Sequence, residues 1–191
     1  EIVQANSFYE DPYDSYGEFD YVLANPPFNV KGVEYDRVSN QKRFNEFGVP
    51  RNSTSSTEVE KVPNANYLWI NQFITALKDN GKAALVMPNG ASTANDGGQK
   101  EIRKRLIESG YVSQIVILPS NMFNTVTLPA TLWFFDKTKK NEEILFINSN
   151  KKIRVSKVGF FREQVSYFEG FILKIAKKKI NYTLFNSLDV I

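Results

Sequence analysis

The stretch FDYVLANPPFNVKG, residues 19–32, decides how the chain folds. Residues 19–24 are almost continuously apolar or aromatic, in a short run bounded by turn residues. They read as a buried strand. Pro26 and Pro27 carry no N–H for a sheet ladder, so the strand stops at Asn25. An amide and an aromatic ring flank the two prolines. In open parallel sheets ligands bind at the carboxyl ends of strands, and this corner occupies such an end.

The corner has a definite chemistry. A proline ring fixes its own φ and restricts the residue before it, so the Asn25 side chain and the Pro26 carbonyl are held as two aimed acceptors. Two converging acceptors match the two donors of an exocyclic NH₂ group. Hydrogen bonds to both draw the nitrogen lone pair out of conjugation with the ring, which makes the amine a better nucleophile without a strong base. Phe28 offers a stacking face for a flat heterocycle, worth about 1–3 kcal/mol per base. A plain strand-ending turn, with Phe28 in the core, is the alternative for these four residues alone.

Outward from the corner the chain alternates strands and helices. Residues 82–87, 112–118 and 130–136 are apolar runs closed by proline or glycine, and residues 144–148 form a fifth short strand. Ile70, Phe73, Ile74 and Leu77 predict a helix over 66–79, with Asn80-Gly81 as its end and Gly81 as a left-handed cap. Ile102, Leu106 and Ile107 predict the inward face of a helix over 99–109, capped at Gly110. The order implies a mostly parallel sheet with helices on both faces. The connection 119–129 has no helical pattern, so the strand after it is expected to be antiparallel and near an edge. Residues 31–66 are polar and poor in aliphatics, and suit a flexible connection or a lid. Residues 162–176 suit a helix with lysines near its C-terminus.

Composition narrows the chemistry. The 191 residues contain no cysteine and no histidine, which excludes disulfides, Cys/His zinc sites, a Cys nucleophile and a His base. No apolar run reaches the length of a membrane span and no signal-peptide pattern opens the chain, so a cytoplasmic protein is expected. Residues 137–191 hold 12 Lys/Arg against 5 Asp/Glu, a net of +7; +3 overall less +7 leaves −4 for the first 136 residues. A basic extension can face nucleic acid or be merely solvated. Lys100, Arg103, Lys104 and Arg105 present the same choice, phosphate contact or a solvated helix face. Tyr9, Tyr13 and Tyr16 suit packing or partner contact, and Asp136 has no evident role. The chain opens with Glu1 inside a strand-like run, so it reads as part of a longer polypeptide.

The segment FDYVLANPPF resembles the catalytic motif of the amino-group DNA methyltransferases. The blocks QANSF, ALKDNGKAALVMPNG, EIRKRLIESGYVSQIVILPSNMF and LPATLWFFDK extend the likeness, in order, to the modification subunits of type I restriction-modification systems. The resemblance covers about residues 1–147, which are taken as the C-terminal part of a catalytic domain, with 148–191 as a basic extension. It implies an α/β, partial S-adenosylmethionine-dependent methyltransferase (Rossmann-like) fold. The sheet would be mostly parallel with one antiparallel strand, lacking the N-terminal glycine-rich half. The implied activity is adenine-N6 methylation of DNA on a flipped base. The implied partners are DNA, a specificity subunit and a restriction subunit.

The same resemblance assigns residues. Asn25, Pro26, Pro27 and Phe28 form the catalytic corner. Asn6, Ser7, Phe8 and Asn25 lie beside S-adenosylmethionine. Phe28, Asn29 and Phe123 lie against the base, a core position being the alternative for Phe123. Two departures stand out. The glycine-rich turn and the acidic ribose-binding residue are missing, and Gly97-Gly98 lacks the spacing to replace that turn. The loop after Phe123 reads NTVTLP where many relatives have a glycine.

The missing half has a physical consequence. In this fold the glycine-rich strand pairs with the strand ending in Asn25, and without it residues 19–24 form an exposed apolar edge. The chain by itself is therefore expected to be inactive, and sticky or dimeric through that edge. Two competing readings remain: methylation of another planar amine such as a glutamine side chain, and a non-catalytic assembly or nucleic-acid-binding module.

Overall fold

A computed structural model describes residues 2–52, 59–120, 129–140 and 143–148. Phe123, the expected helix over 162–176 and the extension beyond residue 148 lie outside the described residues. The elements run β1 (Phe19–Ala24), α1 (Tyr35–Ser39), α2 (Lys42–Asn45), α3 (Asn66–Thr75), β2 (Leu77–Pro88), a 3₁₀ turn (Asn89–Ser92), α4 (Gln99–Glu108), β3 (Val112–Ile117), β4 (Ala130–Asp136) and β5 (Leu145–Asn148).

The strands form one sheet in the order β1-β2-β4-β3-β5. β1 and β2 are parallel, as are β3 and β5, while β4 runs antiparallel to both its neighbours. One reversed strand was expected, but near an edge; it lies in the middle. The connection 118–129 is only twelve residues long and its sequence has no helical pattern, whereas a parallel return needs a dozen or more residues and usually a helix, so an antiparallel return suits it better. Its central place follows from its sequence: Trp133, Phe134 and Phe135 are all buried, so both faces of β4 are covered.

The main core lies on one face of this sheet. Ala83, Leu85 and Met87 alternate inward along β2 and meet Trp133 and Phe135 of β4. Tyr67, Ile70 and Ile74 of α3 and Ile102 and Leu106 of α4 pack on the same set. Among the described residues both long helices therefore serve one face, where helices on both faces were expected. Ile107, read as inward, is 44% exposed. It lies beyond the narrow stripe that Ile102 and Leu106 complete.

The helix α3 ends at Thr75, not at 79. Leu77 is buried as its spacing required, but as the first residue of β2, paired with Phe19. Burial alone cannot separate a last helical turn from a first strand residue. The ladder then jumps from Phe19↔Leu77 to Tyr21↔Lys82, so residues 78–81 form an irregularity in β2. The turn signal of Asn80-Gly81 marks this irregularity and not a helix cap. Gly81 is absent from the positive-φ glycines; a Cβ there would come within 2.9 Å of Leu77 Cβ.

The segment 31–66 is neither a bare connection nor a free lid over its described length. Val33, Val38, Phe44, Val62 and Ala65 join Phe8, Leu68 and Trp69 in a second core on the outer side of α3. α3 is thus covered on two sides, which accounts for its nearly all-round burial. Tyr9 and Tyr16 of the preceding loop pack as well. The Arg37 guanidinium lies 3.5 Å over the Tyr9 ring. The Tyr16 hydroxyl donates to Glu46 Oε2 at 2.8 Å, and burial, then that carboxylate, push its pKa up to about 12. Tyr13 is 55% exposed.

The basic face of α4 is partly structural. Arg103 donates to the Ala94 carbonyl (2.6 Å) and the Tyr67 hydroxyl (3.2 Å), and Tyr67 donates to the Ala91 carbonyl (2.7 Å). These bonds tie down the loop that follows β2. Arg105 donates to the Phe47 carbonyl. Gly97 and Gly98 have φ of +56° and +74°, and a Cβ on Gly97 would sit 2.3 Å from Pro63 Cγ. Their glycines answer a tight turn into α4 and a close approach to Pro63.

Asp136 ends β4 in an ion pair with Lys82 Nζ at 2.5 Å, and accepts from the Thr138 N–H and hydroxyl. Burial opposes its charged form, but these hydrogen bonds outweigh it and hold the carboxyl below its usual range. The unfolded carboxyl, at about 3.9, then binds a proton before the folded one does. The resulting stability is present above about pH 4 and is lost as the pH falls through the folded value. Asp136→Asn is expected to flatten that acid loss, as read by denaturant titration between neutral pH and about pH 3.

Candidate active site

Parallel pairing of β1 with β2 brings Asn25 and Pro88 to the same end of the sheet, since the ladder closes on Ala24↔Leu85. The Asn25 side chain is exposed and makes no hydrogen bond among the described residues. Pro26 beside it is buried, Pro27 is exposed and Phe28 is half-buried. The corner is thus anchored through Pro26 while its amide faces outward. Asn29 follows in the left-handed region, φ +55°. Asparagine tolerates that conformation better than most residues.

Asn29 is held firmly. Its N–H donates to Asn66 Oδ1, and Asn66 Nδ2 donates to Asn29 Oδ1, both at 2.9 Å. The chain then pairs backward with residues 60–65: Ala65 N–H donates to the Val30 carbonyl, Val62 N–H to Val33, and Tyr35 N–H to Glu60.

A cleft of about 710 Å³ opens beside this segment. Residues 4–10, residues 30–33 and Trp69 line it, so Asn6, Ser7 and Phe8 come together there. Asn6 organises the turn: its Oδ1 accepts from Phe8 N–H (3.0 Å) and its carbonyl from the N–H groups of Tyr9 and Glu10. Phe8 packs on Trp69 with ring centroids 4.5 Å apart. The Trp69 Nε1–H is buried and has no partner among the described residues. Asn25, Phe28 and Asn29 do not line this cleft, although they run directly into its residues 30–33. Asn66 and Trp69 were not singled out from the sequence. Trp69 reads there as ordinary helix packing; the spacing Asn64-Ala65-Asn66 before an apolar helix was the one signal for Asn66.

The family described as N-6 DNA Methylase matches residues 1–173. The chain belongs to the N-6 DNA methylase family. It is 39% identical over 149 residues to the Type I restriction enzyme MjaIX methylase subunit of Methanocaldococcus jannaschii, covering 75% of this chain and 25% of that protein. It is 30% identical over 149 residues to the HindI methylase subunit of Haemophilus influenzae, covering 78% of this chain and 30% of that one. Among solved structures, the type I restriction-modification methyltransferase subunit from Streptococcus thermophilus superposes with a TM-score of 0.64 at 28% identity, covering 77% of this chain and 30% of that one. The chain therefore spans about a quarter to a third of the length of the relatives it matches. The expected fold, a partial Rossmann-like methyltransferase sheet with one antiparallel strand, is the one observed.

Proposed function

We propose that this chain is the acceptor-side portion of an adenine-N6 DNA methyltransferase subunit of a type I restriction-modification system. The observation that carries the reading is the Asn25 corner: an exposed, unbonded amide at a strand's carboxyl end, held by a buried proline and followed by a half-buried aromatic ring. Asn25 Oδ1 and the Pro26 carbonyl accept the two hydrogens of the adenine amine, Pro27 stiffens the turn, and Phe28 stacks on the flipped ring, with Asn29 and Phe123 beside it. Localising the lone pair on nitrogen is the corner's contribution to the reaction.

The cleft residues fit the adenine end of S-adenosylmethionine. Phe8 and Trp69 supply an aromatic wall, Asn6 and Ser7 supply polar groups, and the Trp69 indole N–H lacks an acceptor. The 191 residues contain no G-x-G-x-x-G turn for the rest of the donor. Asn25, also expected beside the donor, does not line the cleft. When bound, S-adenosylmethionine supplies an electrophilic methyl group.

DNA, a specificity subunit and a restriction subunit are the proposed partners, and the cytoplasm the proposed location. Among the described residues no helix is long and apolar enough to cross a membrane. The 191-residue chain by itself is proposed to be inactive. The deciding experiment is methyl transfer to duplex DNA by the polypeptide that carries these residues, assembled with its partner subunits. N6-methyladenine is the expected product; methylated glutamine, or no transfer, overturns the reading.

The edge of the sheet supports a further part of the proposal. β1 has no ladder partner on its outer side among the described residues, with Phe19 46% and Leu23 50% exposed. In the isolated chain β1 pairs with a second copy. Solution scattering is expected to give a dimer or larger species that Leu23→Lys dissociates, and a monodisperse monomer overturns the pairing.

A further inference from the structure

We propose that Asn66 is a positioning residue for the acceptor corner, acting by locking Asn29 in its left-handed conformation; this rests on the methyltransferase reading above. Asn66 is the first residue of α3 and is 3% exposed. Its side-chain amide makes two hydrogen bonds to Asn29, accepting from the backbone N–H and donating to the side-chain oxygen. The two bonds fix both the backbone and the rotamer of one residue. That residue has a φ of +55°, which costs a non-glycine residue free energy unless its surroundings enforce it.

The clamp is itself braced. Asn66 N–H donates to Asn64 Oδ1 (3.1 Å), and Asn64 Nδ2 donates to Gln99 Oε1 (3.4 Å). Gln99 is fully buried and donates to the carbonyl and carboxylate of Asp96 at the entry to α4. A row of amides thus runs from the corner into the helix layer. β1 is an edge strand, so nothing on its outer side steadies Asn25 and Pro26 among the described residues. The direction in which the chain leaves Phe28 is set instead from the far side, by Asn66. Without the clamp Asn29 relaxes to φ < 0, the turn after Phe28 opens, and the ring and the Pro26 carbonyl lose their shared aim.

The test uses the complete polypeptide with its partner subunits. Asn66→Ala is expected to lower kcat on the order of 10²-fold, the scale of a misaimed reacting group, with DNA KM and S-adenosylmethionine affinity within about 3-fold. Because Asn66 is buried, the exposed Asn29 provides a second arm. Asn29→Val, whose branched side chain disfavours the left-handed region, is expected to fall as far, whereas Asn29→Gly keeps at least about ten times the kcat of Asn29→Val. Equal loss in the glycine and valine variants, or full activity in the valine variant, overturns the proposal. Asn25→Ala is run alongside: if it methylates normally, the functional reading itself fails, and the two failures are told apart.

Discussion

Replacing Asn25 by alanine is expected to lower methyl transfer on the order of 10²–10³-fold, the usual loss when one preorganised hydrogen-bonding group is removed from a reacting centre. The amide side chain is exposed and bonds to nothing among the described residues, so its removal leaves no partner stranded and costs the fold little. The Pro26 carbonyl remains and keeps one of the two hydrogen bonds to the amine. One acceptor orients the amine but leaves its lone pair largely delocalised into the ring. The loss should therefore fall on kcat. S-adenosylmethionine affinity should stay within a few-fold of the parent, since Asn6, Ser7, Phe8 and Trp69 line the cleft and Asn25 does not. Labelled-methyl transfer by the assembled complex and calorimetric titration of the donor measure the two quantities separately. Retained transfer would sink the mechanism. Lost donor affinity would move Asn25 from the acceptor side to the donor side.

The elements that the sequence declares are those whose signal is local. β3 and β4 are mostly apolar runs separated by a loop that begins at Pro119 and ends at Pro129, and their bounds are legible to within a residue. Asn25-Pro26-Pro27-Phe28 is legible for the same reason, because the prolines act on their own φ and that of their neighbour. What escapes the sequence is decided at a distance. The reversed strand takes the middle of the sheet because β2 and β3 both need a covered neighbour. The polar segment 31–66 folds because Val33, Val38, Phe44 and Val62 find Trp69 and Leu68 on α3, a pairing no periodicity announces. The buried amides are harder still. Asn66, Asn71 and Gln99 look like surface residues in the sequence and are at most 3% exposed in the fold. Arg43 is the extreme case: its guanidinium is buried, Nη1 and Nη2 have no partner among the described residues, and burial pushes its pKa down.

Asn71→Leu is expected to destabilise the chain by about 2–4 kcal/mol, the range for stranding buried polar groups. Asn71 is fully buried in the middle of α3, and its Nδ2 donates to the carbonyls of Phe44 (2.9 Å) and Gly48 (2.8 Å). Both carbonyls belong to the segment around α2, which buries Phe44 and Phe47 against the helix. Leucine has the same branched four-atom side-chain skeleton as asparagine and brings apolar surface, but it cannot donate. The buried Phe44 oxygen and the half-buried Gly48 oxygen would then lose their partner, at a cost of about 1–3 kcal/mol for a buried group and less for the half-buried one. Relief of the buried Asn71 Oδ1, which has no partner among the described residues, offsets part of that cost. For a domain of this size the net change corresponds to a drop in Tm of about 5–12 °C. The loss should be local first, so limited proteolysis within residues 40–50 should accelerate before global unfolding does. Asn71→Ala should be worse than Asn71→Leu, because it adds an unfilled cavity to the same two stranded oxygens. An unchanged Tm in the leucine variant would mean that the segment around α2 is held by Phe44 and Phe47 alone and that the amide stitches contribute nothing net.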